Sequence, residues 1–412
     1  MRRLMLAAMT AALCVMSSAD PAVAQPTWSA AADRVFAPWS VKDSPGCAVG
    51  VFQQGRIVFE KGYGMADLEH DVPITPDAVF YAGSVSKQFT AMAAALAIQQ
   101  GKLSAGDPIR KYLPELPAYA DPITVRHLVH HTSGLRDYNT LLSIAGRRGD
   151  EAYDNPTVLR MTARQTALNF APGSEYLYSN TGYTLLATIV ERAAGVPFAT
   201  FADTHIFKPL GMTSTFFGVD ASRLVPKRAY AYSRGSNGEI RLDTPSNQRA
   251  GAGGVYTTVR DLLKWDQSFY DGRLGGRELV RRVETPGTLA DGSALTYAWG
   301  LQIGRYRGLR VVEHGGSLGG YRAHLMRLPE AHTSVAALCN TGSIAPSGLV
   351  RQVADAVLGG RFSEPAPQRA AGAPPGGGRG AGGRGTGPQT PVPGDPARYT
   401  GRYHSDEIDA TF

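Results

Sequence analysis

The sequence predicts an α+β protein: an antiparallel central sheet built from both chain ends, flanked by helices, with a mainly helical region inserted between them. Three observations predict it. Strand signals crowd residues 46–63, they return in a series over 297–339, and the stretch from about 105 to 270 is mostly helical in pattern, with Pro and Gly breaks. A doubly wound sheet would alternate strand and helix along the whole chain instead.

The chain opens on MRRLMLAAMTAALCVMSSADPAVAQ. Two arginines, a short apolar run and Ala22-Val23-Ala24 make a signal peptide over 1–24, with cleavage expected after Ala24 and export to the periplasm or beyond. A lipid anchor at Cys14 is disfavoured, because Leu13 stands where a small residue is needed. The apolar run is too short to span a bilayer, so no integral membrane span is expected. Residues 46–63, GCAVGVFQQGRIVFEKGY, read as two strands around a Gln-Gln-Gly turn. An Ala-rich helix is expected over 84–100 and a buried one over 181–194, closed by Gly195. Strands follow at 297–304, 308–314, 321–329 and 333–339, then a closing helix at 348–358. Residues 25–362 thus form one domain. Pro and Gly dominate 363–396, which reads as a disordered linker, and 397–412 has the strand character of a β domain that is cut short.

Composition narrows the function. The net charge of +7 is carried partly by Arg2, Arg3 and the Gly/Arg-rich tail, and the remaining Lys and Arg are scattered. With no nucleic-acid motif present, a nucleic-acid partner is not expected. After cleavage two cysteines remain, Cys47 and Cys339, both in apolar strand-like segments. They are either a pair of buried small hydrophobes or, if their strands are neighbours, a disulfide.

Two serines compete for a catalytic role. Gly315-Gly316-Ser317-Leu318-Gly319 fits the G-x-S-x-G nucleophile elbow. That motif needs a strand-to-helix turn, followed by an acid and then a histidine. Ser317 lies between two strand signals, and the short remainder offers a triad only on paper, with Asp355 as acid and His324 or His332 as base. In a chain with 48 glycines the match reads as coincidence.

Ser84 and Lys87 are the stronger pair. At i and i+3 on a helix they share a face, with Cβ atoms about 5–6 Å apart. A serine nucleophile needs a base, and a lysine serves as one when burial and the positive helix end favour its neutral form. Tyr178-Ser179-Asn180 precedes the helix at 181. A tyrosine can relay protons if nearby ammonium groups lower its pKa, and an asparagine can orient the lysine and a substrate amide. Tyr153-Asp154-Asn155 has the same spacing but reads as an ordinary turn before Pro156. His314-Gly315-Gly316-Ser317 ends a strand, where glycines admit substrate backbone and the Ser317 N–H can bind an oxyanion.

S-x-x-K, Y-S-N and H-G-G in this order resemble the penicillin-recognising serine hydrolases, which include class C β-lactamases, D-alanyl-D-alanine carboxypeptidases and related esterases. The framing segments ITVRHLVHHTSGLRDY (123–138), IFKPLGMTSTFF (206–217) and AGAGGVYTTVRDLLKWDQSF (250–269) are similar too, over about residues 30–360. The resemblance implies a β-lactamase/transpeptidase-like fold and cleavage of an ester, D-Ala peptide or β-lactam without cofactor or metal. It implies Ser84 as acylated nucleophile, Lys87 as its base, Tyr178 as second base for deacylation, Asn180 and Gly316 as substrate-positioning residues, and the amides of Ser84 and Ser317 as oxyanion hole. One departure stands out: relatives usually carry lysine where this chain has His314, so recognition of a substrate carboxylate should weaken. His127, His130 and His131 have a metal-like spacing, but the similar family frame carries histidines at 127 and 131 with no metal. The rival class is a binding protein that senses peptidoglycan or β-lactams without turnover.

Overall fold

The structure, a computed structural model, describes residues 27–147, 153–246, 248–366, 404–405 and 410–411. The expected signal peptide and all but the first residues of the expected linker lie outside the described residues. Of the 397–412 segment, only the paired strands His404–Ser405 and Ala410–Thr411 are described.

The elements that carry the argument are, in chain order, α1 (Ser29–Phe36), β1 (Cys47–Gln53), β2 (Arg56–Tyr63), α2 (Ser86–Gln99), α3 (Asn180–Ala194), α4 (Val259–Asp271), β3 (Gln302–Tyr306), β4 (Leu309–Leu318), β5 (Tyr321–Leu328), β6 (Thr333–Cys339) and α5 (Pro346–Leu358). The six strands form one antiparallel sheet in the order β3-β4-β5-β6-β1-β2, so the two chain ends meet at the β6–β1 pair. The expected fold class is therefore the observed one.

Both faces of the sheet are covered, which explains why CAVGVF and TSVAALC read as apolar runs rather than alternating ones. Alternate residues still part company. Ala48, Phe52, Ala336 and Leu338 pack toward α2, while Val49, Val51, Val335 and Ala337 pack toward α1 and α5. Cys47 and Cys339 face each other across β1 and β6 and form a disulfide on the second of these faces. Of the two readings of these cysteines, the bridge is the one the structure adopts. It ties residues 292 apart in sequence, and closing so long a loop removes much unfolded-state entropy.

Helix α2 is buried on every side from Ser86 to Ala97, as expected of a helix without a polar stripe. Its alanines let α3 pack closely against it. Helix α3 starts at Ser179, whose Oγ accepts the Gly182 N–H, and ends at Gly195 in the left-handed conformation. Two features differ from the sequence reading. The Ala-rich helix begins as the 3-10 turn Gly83–Val85 before becoming α-helical. Two strands of the inserted region, Val255–Thr257 and Phe216–Phe217, also form a three-stranded sheet with Phe80–Tyr81, in strands too short to show a period. No single helix among the described residues is long and apolar enough to cross a membrane.

Candidate active site

Ser84 sits in the 3-10 turn, partly exposed, and Lys87 follows in the first turn of α2, fully buried. Lys87 Nζ lies 3.1 Å from Ser84 Oγ, 2.8 Å from Asn180 Oδ1 and 2.9 Å from the Ala252 carbonyl oxygen. The last two partners can only accept, so they hold two N–H groups whatever the protonation state. The third position faces Ser84 Oγ. There the ammonium form donates a hydrogen bond, and the neutral amine presents a lone pair to the serine O–H. Burial drives the Lys87 pKa down to about 7, against an opposing pull from Asp137.

Tyr178 hydrogen-bonds Ser84, and its ring lies 4.7 Å from Lys87 Nζ. Tyr178 is half-buried, packed against the main core. Burial raises the Tyr178 pKa well above its usual value, and the Ser84 hydrogen bond offsets this only partly. The expected lowering by nearby ammonium groups is thus not what the structure has. The Lys87 ammonium, present in about half of the molecules at pH 7, does not offset the burial. Tyr178 is a protonated phenol in the resting site.

His314 and Gly316 alternate along β4 with Glu313, Gly315 and Ser317. In a strand the two sets face opposite ways. His314 packs beside Tyr178, with ring centroids 6.3 Å apart. Its Nδ1–H donates to the Gly315 carbonyl at 2.6 Å, which leaves Nε2 to accept from the Tyr297 hydroxyl at 3.0 Å. Burial and then the Lys87 charge push the His314 pKa down to about 3. The imidazole is neutral with both nitrogens engaged, so it offers no cation to a substrate.

Two glycines bring main chain to the nucleophile. Gly83 has φ +55°, and a Cβ placed on it would lie 2.3 Å from the Ser317 nitrogen. A Cβ on Gly316 would lie 2.0 Å from the Ala82 oxygen and 3.0 Å from the Ser84 nitrogen. The turn and the strand can approach this closely only without side chains. The amides of Ser84 and Ser317 are thereby brought to one place.

The Ser317 side chain is exposed, and its Oγ has no hydrogen bond among the described residues. The partners of an elbow-type triad are spent elsewhere. Asp355 binds Tyr306 and Arg307, His324 pairs with Glu313 at 2.9 Å, and His332 stacks on Tyr270. Tyr153-Asp154-Asn155 is not a simple turn: Asp154 caps the helix Asn155–Ala163 and Asn155 brackets the backbone of Ala250.

Four further contributors escaped the sequence reading. Asp137 accepts the Asn180 N–H and caps the helix at Tyr138. Tyr297 holds His314, and Ala252 contributes only its carbonyl. His131 accepts the Ser179 N–H at 3.1 Å through Nδ1 and packs 4.3 Å from the Tyr178 ring, at φ +59°. Its spacing from His127 and His130 raised the metal reading. The three rings do not converge, since His127 accepts the Thr124 N–H and His130 faces the Tyr297 carbonyl.

The model of the Beta-lactamase family matches residues 32–359, and the chain belongs to that family. A D-aminopeptidase of Gluconobacter oxydans is 29% identical over 301 residues, 73% of this chain and 57% of that protein. Penicillin-binding protein 4* of Bacillus subtilis is 30% identical over 302 residues, 69% of this chain and 66% of that protein. The alignments thus span somewhat under two thirds of the length of these relatives. The octameric penicillin-binding protein homologue from Pyrococcus abyssi superimposes with TM-score 0.71 at 26% identity, over 81% of this chain and 77% of that one. The D-amino acid amidase from Ochrobactrum anthropi SV3 superimposes with TM-score 0.69 at 23% identity, over 82% of this chain and all of that one, a likeness of fold.

Proposed function

We propose that this protein is an exported serine hydrolase that cleaves an amide or ester bond through an acyl-enzyme on Ser84. The observation that carries the reading is Lys87: a buried lysine with two N–H groups held and its third position turned to Ser84 Oγ. Neutral Lys87 takes the Ser84 proton as Oγ attacks the carbonyl carbon. The amides of Ser84 and Ser317 stabilise the oxyanion, a contribution of about 10²–10³ in rate for each such donor. As the tetrahedral species collapses, Tyr178 passes its phenol proton to the leaving nitrogen or oxygen and regains one from the Lys87 ammonium. Deacylation runs the relay in reverse: water attacks the acyl carbon, its proton passes through Tyr178 to Lys87, and Ser84 leaves with a proton. Asn180 holds Lys87 in place with Oδ1 and has its amide N–H₂ left for the substrate carbonyl.

The names of the relatives, D-aminopeptidase and D-amino acid amidase, support a D-configured amino-acyl amide or peptide as the substrate class. A neutral His314 in place of a lysine favours such substrates over penicillins, which carry a carboxylate at that end. The N-terminal pattern and the Cys47–Cys339 bridge support an oxidising, extracytoplasmic compartment.

The test is turnover on D-amino acid p-nitroanilides and short p-nitrophenyl esters, with mass spectrometry of the trapped enzyme. Many turnovers per active site and an acyl mass on the Ser84 peptide are expected. Product that stops at one equivalent would mean a binding protein without turnover. An unlabelled Ser84 in an active enzyme would overturn the reading.

A further inference from the structure

Beside the catalytic cleft lies a second cavity of about 240 Å³ that the chemistry above does not use. Phe216 and Tyr256 form its floor, their rings stacked at 5.4 Å and 10°. Two guanidinium groups reach into it. Arg223 lies 3.7 Å over the Phe216 ring, and Arg228 lies 5.5 Å from the ring centres of both Tyr230 and Tyr256. The rings occupy guanidinium faces; Arg228 also donates from Nη2 to the Tyr256 hydroxyl at 3.4 Å and hydrogen-bonds Tyr321, which leaves the Arg223 edge and the remaining Arg228 N–H groups for an acceptor. Among the described residues neither arginine is in an ion pair with a carboxylate, and Arg228 Nε is buried with no hydrogen-bond partner. The one acidic residue of the wall, Asp220, is occupied by the Ser222 N–H and hydroxyl at 2.8 and 2.6 Å. Two unpaired cations against one engaged carboxylate leave the cavity positive.

Its position ties it to the reaction. Pro245 of the wall packs at Gly319, where an added Cβ would lie 2.9 Å from Pro245 Cδ. Gly319 is two residues beyond Ser317, about 7 Å of extended chain. Tyr256 of the floor packs edge-on against Tyr81 at 5.3 Å, three residues before Ser84. Floor and wall are thus continuous with the two backbone segments that converge at the nucleophile.

We propose that the Arg223–Arg228 cavity is a subsite for a carboxylate carried on the acyl part of the substrate. This rests on the acyl-enzyme reading above. Its volume is enough for a small acidic group and the short chain that carries it. Planar guanidinium edges pair with carboxylate oxygens, and the aromatic floor takes the methylene chain. The charge that His314 does not provide in the cleft is provided here, beyond the C-terminal end of β4.

The experiment compares two esters of equal carbon count, mono-p-nitrophenyl glutarate and p-nitrophenyl valerate. Wild-type protein should favour the glutarate ester in kcat/KM by about tenfold, the scale of one charge-assisted contact. The Arg223→Gln/Arg228→Gln double variant should lose that preference through KM and keep the valerate rate within about twofold. No wild-type preference, or a preference that survives the double variant, overturns the proposal. If the double variant melts early, Arg223→Gln alone changes an exposed side chain and should still lower the preference about threefold.

Calorimetry with free glutarate on the Ser84→Ala protein reads the pocket without turnover, and the double substitution should weaken that binding about tenfold. Glutarate that binds through the arginines while the esters show no preference marks a free-anion site and overturns the substrate assignment. Valerate hydrolysis that persists in Ser84→Ala sinks the acyl-enzyme reading instead, and the calorimetry still judges the cavity.

Discussion

The two walls of the cleft are built on different terms. The helical wall contributes side chains: Ser84 and Lys87 from the start of α2, Tyr178 and Asn180 from the start of α3. The sheet wall contributes mostly main chain: β4 presents Gly316 and the Ser317 amide, and its one large residue facing the site, His314, is neutral and fully bonded. On the first wall the identity of the residue is the function. On the second wall only its position is, and an intruding Cβ matters more than any lost functional group.

The largest effect should fall on the helical wall. Lys87→Met removes the base while keeping an apolar chain of similar length, so kcat should fall on the order of 10⁴ or more, as when one member of a concerted catalytic unit is lost. Steady-state ester hydrolysis with a circular-dichroism check measures it. Retention of a tenth of the activity would assign the base elsewhere. The pH profile sharpens the same point. Only the neutral amine can accept the Ser84 proton, and burial sets the Lys87 pKa at about 7. So kcat/KM should rise with pH through about 7 and level off above it. His314, with a pKa pushed down to about 3, should add no limb between pH 5 and 8.

Next in size is the sheet wall. Gly316→Ala places a methyl 2.0 Å from the Ala82 oxygen, so strand and turn must separate. The two amides then no longer converge, and kcat should drop by about 10²–10³ with little change in KM. An Ala variant within threefold of wild type would mean the amides do not act together.

A smaller effect is expected one layer back. His131 accepts the Ser179 N–H between Tyr178 and Asn180, the residues proposed to act on the substrate. His131→Phe leaves that buried N–H without an acceptor, at a cost of about 1–3 kcal/mol. His131→Asn can accept it with Oδ1. We expect kcat to fall about tenfold in the Phe variant and recover in the Asn variant, with the thermal midpoint lowered in both by the lost stacking. If kcat follows the midpoint and Asn gives no rescue, His131 is only a core residue.

The same division explains what could be read from the sequence. The sheet was legible because 46–63 and 297–339 carry apolar runs punctuated by turns, and an antiparallel strand needs little else. That Ser84, Lys87, Tyr178 and Asn180 come together was legible because the proposed side-chain chemistry is written in residue types at fixed spacing. Main-chain chemistry leaves only glycines, which is why GGSLG could pass for a nucleophile elbow. Ala252 gives no sign of its carbonyl, Tyr297 is one aromatic among many, and His131 suggested a metal because spacing alone does not say which way a ring points. The Tyr178 pKa was misjudged for a related reason: burial, the dominant cause, is a property of the packed site and not of the neighbours in the motif.

The smallest expected effect is the sharpest test of the division. Ser317 is the one serine in β4, it completes G-x-S-x-G, and its amide lies at the nucleophile. Yet strand alternation turns its side chain to the face opposite His314 and Gly316, where it is exposed and its Oγ has no hydrogen bond among the described residues. Ser317→Ala keeps the amide and the backbone and removes only that hydroxyl. Activity should stay within about threefold of wild type, the scale of an ordinary surface substitution. Ser317→Pro removes the N–H itself and should lose about what Gly316→Ala loses, on the order of 10²-fold. A Ser317→Ala enzyme that falls as far as the Pro variant would put the hydroxyl into the chemistry, and the sheet wall would no longer be a main-chain wall.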